Sequence, residues 1–216
     1  MITKEKQELK KRIAASAACL LMVAAIVCHY LFSGWGFYWK VSPQEEALRL
    51  QLVETAEQYL GYNEADGSHK SILNIYNSHE PLAVGYVVQE TDSWCSTFVS
   101  AMAIECGLTD IIPTECGCER HIALFQKIGR WEEDDGAVPL PGDLIFYDWD
   151  AKGFGDCTGW SDHVGIVVGT KWPFVKVIEG NKDDAVGYRY ILLNDMHIRG
   201  YAMPDYASLA NSSDQS

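Results

Sequence analysis

The period of hydrophobic and polar positions changes several times along this chain, and each change marks an element. Residues 13–32, IAASAACLLMVAAIVCHYLF, carry no charged side chain, and about 20 apolar residues in a helix suffice to cross the roughly 30 Å hydrocarbon layer of a bilayer. SPQEEALRLQLVETAEQYLG then takes up helical spacing, with Leu48, Leu52, Ala56 and Tyr59 or Leu60 on one stripe. Ser42 fits the N-cap, Pro43 the first helical position, Glu45 a capping box and Gly61 the stop. Residues 62–93 are polar and turn-rich, which predicts loop. A second helix is predicted from Trp94 to Cys106, ending at Gly107, and a third from Glu119 to Ile128. Beyond the acidic EEDDG the pattern shortens: GDLIFYDW, HVGIVVGT, FVKVIEGN, YRYILLN and IRGYAMP are β-branched or aromatic and bounded by Gly, Pro, Asn and Asp. Helices first and strands afterwards predict an α+β domain with a mainly antiparallel sheet of about five strands.

Charge gives the apolar segment an orientation. Lys4, Lys6, Lys10, Lys11 and Arg12 precede it, whereas Trp35, Phe37, Tyr38 and Trp39 follow as a headgroup-level aromatic belt. The expected plan is a basic cytoplasmic flank at 1–12, a single transmembrane helix at 13–33, a juxtamembrane segment at 34–42, an extracytoplasmic body at 43–206 and a disordered polar tail at 207–216. A cleaved signal peptide is the competing reading, but the apolar run exceeds the usual h-region and small residues at a cleavage site are poorly matched after His29. The chain has 17 basic and 30 acidic residues. The first 12 residues hold 5 of the former and 2 of the latter, so the rest carries a formal −16. Such a body is not expected to bind nucleic acid or anionic lipid through bulk electrostatics.

Candidate chemistry centres on TDSWCSTFVSAM. A helix beginning near Trp94, capped by Asp92 or Ser93, puts Cys95 in the first turn. Unpaired N–H groups and the helix dipole there favour an anion, so the thiol pKa falls and the same N–H groups can meet an oxyanion. A cysteine nucleophile needs a base, and the base needs an orienting partner. His163, at the start of the strand in SDHVGIVVG, is the best-placed histidine, with His197 in reserve; Glu179 and Asn181 end the next strand two residues apart, hence on one face.

WCSTFVS, PGDLIFYDW, DHVGIVVG and IEGN, in that order, resemble the signature blocks of the CHAP domain, a papain-like cysteine amidase and peptidase fold related to the NlpC/P60 group. The resemblance runs from about residue 59 to residue 206. It implies a papain-like α+β fold with N-terminal helices on the sheet. It also implies Cys95 as nucleophile, His163 as base, and Glu179 and Asn181 orienting the ring. The implied activity is hydrolysis of an amide bond in bacterial peptidoglycan through a thioester, as an N-acetylmuramoyl-L-alanine amidase or an endopeptidase. The expected partners are peptidoglycan, the membrane through the N-terminal helix, and an activating protein. A non-catalytic wall-binding or scaffold module on the same fold is the alternative.

Further residues compete for roles. Trp94, Trp149, Trp160 and Asp162 are candidates for the substrate groove. Asn63, Glu64, Asp66 and Asp92 offer oxygens for calcium but lack EF-hand spacing, so no cofactor is expected. Cys106, Cys116, Cys118 and His121 have the residue types of a zinc site, yet in an exported domain disulfides or free thiols are the readier fate, the most economical disulfide joining Cys106 to Cys116 or Cys118 with Cys157 as a further partner. Asp143 is read as a turn residue, EEDDG as a solvated turn, and Lys70, Tyr76 and SHEPLAVGY as outside the chemistry.

Overall fold

The computed structural model describes residues 13, 16, 17, 19–24, 40–153 and 155–213. The chain divides into two units, 1–35 and 36–216. In the first, the described residues are helical, and Leu20, Leu21, Met22 and Val23 are exposed. Among the described residues no helix is long and apolar enough to cross a membrane. The basic flank, most of the expected span and the aromatic belt lie outside the described residues.

The second unit is α+β. Helix α1 (Pro43–Glu57) starts where its signals place it: the Ser42 hydroxyl accepts the Glu45 N–H at 3.1 Å and Pro43 opens the helix. The reciprocal half of the capping box is absent, because the Glu45 carboxylate is taken by Arg49 Nε at 2.8 Å. Helix α2 (Lys70–Asn77) occupies part of the predicted loop. Its Ile72, Leu73 and Tyr76 are buried against the core, and those apolar positions at i, i+1 and i+4 were the signal for it. Helix α3 (Cys95–Cys106) ends at Gly107, whose φ of 66° supplies the left-handed stop. Helix α4 (Cys118–Lys127) follows.

Six strands form one antiparallel sheet in the order β1-β6-β2-β3-β4-β5: β1 (Trp131–Glu132), β2 (Leu144–Tyr147), β3 (His163–Lys171), β4 (Phe174–Lys182), β5 (Ala185–Leu192) and β6 (Ile198–Ala202). The sheet has one strand more than expected, the two-residue β1 pairing with β6, which is too short to show a period in sequence. The helices bury one face, where Leu52, Phe98 and Met102 meet Leu144, Phe146, Val164, Ile166 and Ile178. On the other face Ile145, Tyr147, Val167, Val175, Val177 and Tyr201 make a smaller cluster. Strand β2 is therefore buried on both sides, which is why LIFY reads as a continuous apolar run.

The tail from 207 was expected to be disordered. Instead Tyr206–Ser213 forms helix α5. Tyr206 is fully buried, its hydroxyl donates to Gly142 O at 2.8 Å, and the Arg49 guanidinium lies 4.5 Å from its ring centroid. Asp143 has the turn role: it accepts Leu140 N–H and Arg49 Nη1, each at 2.8 Å.

Candidate active site

The site lies where the first turn of α3 meets the ends of β3 and β4. Close approach is built into the sequence at Gly180. A Cβ there would sit 2.4 Å from Phe98 Cβ and 2.8 Å from Trp94 Cζ3, so only glycine lets the β4 backbone pass beside the start of α3. Strand β3 runs antiparallel to β4 and carries His163 at its first position.

Cys95 is the first residue of α3 and 4% exposed. No side chain caps this helix. Asp92, expected as the cap, instead accepts Gln89 N–H at 2.7 Å and the Tyr86 hydroxyl at 2.8 Å, holding the loop ahead of the helix. The N–H groups of the first turn are thus left to an anion, and the Ser96 N–H is one of the groups that lower the Cys95 pKa. The largest contribution comes from a thiol that sequence reasoning did not place here. Cys118, first residue of α4, has its Sγ 3.6 Å from Cys95 Sγ. Its hydrogen bond holds the Cys95 pKa well below that of an ordinary thiol, against the opposing effect of burial, and His163 adds a hydrogen bond and charge in the same direction. The Cys118 pKa is correspondingly pushed well above the ordinary value by the Cys95 anion, then by burial.

His163 is 9% exposed, and its Nε2 lies 3.1 Å from Glu179 Oε2. With Nε2 so engaged, Nδ1 is the nitrogen left for Cys95. Burial alone would lower the imidazole pKa; hydrogen bonds to Cys95 and Glu179 outweigh it and raise the value to about 9. Glu179 is completely buried. Burial would raise its pKa, but His163 and Arg189 bring it below the usual value. Arg189, on β5, donates from Nε to Oε1 at 2.7 Å and to Oε2 at 2.9 Å, and its guanidinium lies 4.4 Å from the Trp149 ring centroid. Tyr147 stacks on the His163 ring at 5.8 Å between centroids. The arrangement favours the thiolate of Cys95 and the imidazolium of His163 over the neutral pair, the imidazole held from behind by a carboxylate that is itself held by a guanidinium. Arg189 and Tyr147 were missed in sequence because each acts across strands, in a register that only pairing fixes.

Asn181 does not continue the regular strand. Its φ is 57°, and the β4–β5 register shifts between Glu179 and Lys182. This breaks the two-residue alternation that had placed it on the face of Glu179. Among the described residues it makes no hydrogen bond to His163, whose Nε2 is engaged by Glu179 and whose ring is stacked on Tyr147. His197 pairs with Asp195, its Nδ1 2.8 Å from Oδ1, beside Trp149.

Of the four groove candidates, two line the cleft over Cys95. It has a volume of about 330 Å³, and its walls include Ser93, Cys118, Arg120, Trp160 and Asp162. Trp160 is 74% exposed at its edge. Trp94 is wholly buried, with Nε1 donating to Glu64 Oε1 at 2.9 Å, so it belongs to the core. Trp149 stacks on Tyr147 and lines a separate hollow with Phe174, Arg189 and His197. A second cavity of about 380 Å³ shares Ser93, Cys116 and Arg120 with the cleft and is walled by Val84, Tyr86 and Val88. The segment 78–86, read as outside the chemistry, therefore forms part of this wall.

Of the two fates expected for the remaining cysteines, disulfide or free thiol, the structure has the second. Cys95, Cys106, Cys116, Cys118 and Cys157 are all free thiols. Cys106 faces α1, 3.2 Å from Thr55 Oγ1, while Cys116 lies 3.4 Å from Arg120 Nη2, so neither points to the other. His121 is fully buried, with Nδ1 2.9 Å from Ser96 Oγ, and burial lowers its pKa to about 4. The candidate zinc ligands thus face different neighbours. Asp66 accepts from Asn63 Nδ2 and Ser68 N–H within one turn, while Glu64 holds Trp94. In EEDDG, Glu133 pairs with Arg199 and the buried Asp135 accepts Cys157 N–H at 2.8 Å, which makes this turn structural rather than merely solvated.

No protein-family model, curated protein or solved structure matches the chain.

Proposed function

We propose that this chain is a cysteine amidase or endopeptidase of the CHAP type that hydrolyses an amide bond of bacterial peptidoglycan, tethered by its apolar N-terminal segment with the catalytic domain outside the membrane. One observation carries the reading: the His163 imidazole is held 3.1 Å from the fully buried Glu179 carboxylate, close enough to Cys95, the first residue of α3, for its charge to lower the thiol pKa while its own rises to about 9. A buried structural cysteine does not need such a partner, and burial alone would raise its pKa.

In the proposed mechanism, the Cys95 thiolate attacks the amide carbonyl carbon from the α3 N-terminus, whose first-turn N–H groups face the developing oxyanion. The His163 imidazolium gives its proton to the leaving amine as the C–N bond breaks, leaving a thioester on Cys95. Neutral His163 then takes a proton from water, the hydroxide attacks the thioester, and the acyl group leaves as a carboxylic acid. Glu179 keeps the imidazole oriented and stabilises its charged form, with Arg189 acting through Glu179. The cleft over Cys95 and the adjoining cavity offer an extended groove of the size a peptide stem or sugar-peptide requires.

The test is digestion of purified peptidoglycan by the full-length protein, followed by mass spectrometry of the released muropeptides. New amine ends name the bond, and Cys95→Ala is expected to lower the rate by about a thousandfold or more. Equal release by the folded Cys95→Ala protein would refute the nucleophile. A wild-type protein that pellets with the wall but releases nothing would make it a binding module.

A further inference from the structure

Two helices begin at the cleft, and each carries a cysteine at its first position: Cys95 on α3 and Cys118 on α4. Their sulfurs are 3.6 Å apart, and both thiols are largely buried. Disulfide formation would need the sulfurs to close by only about 1.6 Å, to the usual 2.0 Å bond. The hydrolytic steps above make no use of Cys118. Its neighbours Glu119 and Asp162 are acidic and, like the Cys95 anion, hold its proton in place. One sulfur is therefore kept as the nucleophile while the other is kept as a thiol beside it.

We infer that Cys118 is the resolving cysteine of Cys95, so that a hydroperoxide converts the pair to a Cys95–Cys118 disulfide that shuts the site reversibly. In the first step the Cys95 thiolate attacks a hydroperoxide oxygen. The O–O bond breaks, the alkoxide or hydroxide leaves and is protonated, and Cys95 becomes a sulfenic acid. In the second step Cys118 gives its proton to the departing hydroxyl and its sulfur attacks the sulfenic sulfur. The S–O bond breaks, water leaves and the S–S bond forms. Two thiols lose two electrons, and the peroxide is reduced to an alcohol and water. A dithiol reductant reverses the result. Without a resolving thiol, further peroxide carries sulfenic acid to the irreversible sulfinic acid. Cys116 is less suited to this role, since it lies at Arg120 and outside contact with Cys95.

This inference concerns regulation of the proposed active site and rests on Cys95 being its nucleophile, but not on which bond is cleaved. The test is thiol mapping of the reduced full-length protein before and after hydrogen peroxide. Cleavage after glutamate separates Cys95 (91–105) from Cys106 (106–115) and from Cys116 with Cys118 (116–119). In the wild type, alkylation of Cys95 is expected to fall roughly tenfold, a 91–105/116–119 cross-link to form, and dithiothreitol to restore labelling. Cys116→Ser should retain the cross-link. In Cys118→Ser and Cys118→Ala, shown to be folded by circular dichroism, Cys95 should instead trap as a dimedone adduct and pass to a sulfinic acid that dithiothreitol does not reverse. Wild-type Cys95 reaching sulfinic acid without a cross-link, or equal recovery in Cys118→Ser and wild type, would overturn the inference. These readings stand apart from wall digestion, so failure of the hydrolase reading and failure of the switch are separate results.

Discussion

Replacing Glu179 with Gln probes the electrostatics of the site, because the amide keeps the size of the carboxylate while it removes the charge and turns one acceptor oxygen, facing Arg189 Nε or His163 Nε2, into an N–H donor. His163 is raised from 6.5 to about 9, which corresponds to a preference on the order of 3 kcal/mol for the imidazolium. Cys95 is the larger favourable partner and Glu179 the next. The substitution is therefore expected to lower the imidazole pKa by about 1 unit or slightly more, near 1.4 kcal/mol or above. The thiolate loses part of its counter-ion, so the pH at which Cys95 becomes reactive should rise. Two measurements follow the two halves of the pair: the pH dependence of Cys95 alkylation by iodoacetamide, and the NMR titration of the His163 ring protons. Proteolytic mapping confines the alkylation signal to Cys95, and near-ultraviolet circular dichroism checks that Arg189 has not disrupted packing after losing its partner. Wild-type and Glu179→Gln proteins titrating at the same pH, both folded, would show that the buried carboxylate does not set the charge state of the pair.

Gly180→Ala should destabilise the fold by about 1–3 kcal/mol in urea unfolding, since the new methyl group meets Phe98 and Trp94 at under 3 Å; an unchanged midpoint would mean β4 does not pass so close to α3. Tyr206→Ala removes a fully buried ring and should cost about 3–5 kcal/mol in the same assay, whereas a dispensable tail would cost nothing. Trp160→Ala, at a position 74% exposed, should leave stability within about 0.5 kcal/mol and raise KM for wall fragments with kcat unchanged; a large stability loss would contradict its place at the cleft edge. Because the folded pKa of His163 lies above its unfolded value, its contribution to stability is complete below pH 6.5 and is lost as pH rises through about 9. The melting-temperature gap between wild type and His163→Gln should therefore narrow over that range, and a gap that widens would reverse the sign.

Local features were legible in the sequence because they depend on near neighbours in the chain. The Ser42–Pro43 start of α1, the Gly107 stop of α3, the placement of Cys95 at a helix start and the five longer strands follow from caps, turns and period, which operate over a few residues. The order of Cys95, His163 and Glu179 was also readable, though not their contact. Strand pairing decided the rest. The register irregularity after Glu179 broke the alternation on which Asn181's place depended, β5 delivered Arg189 to the carboxylate, and the packing of α3 drew Trp94 into the core. Helix α2 and the Tyr206 helix were underread because a few buried side chains outweigh polar composition once a core exists to receive them. Cys118 shows the limit most plainly. Its sequence neighbours suggested a metal or a disulfide with Cys106, but the packing of α3 and α4 sets its sulfur 3.6 Å from that of Cys95, 23 residues away. Chemistry-bearing residue types were set by the sequence alone, whereas their partners were set by which helix and strand ends meet, because contacts at 3–4 Å depend on packing that no local pattern encodes.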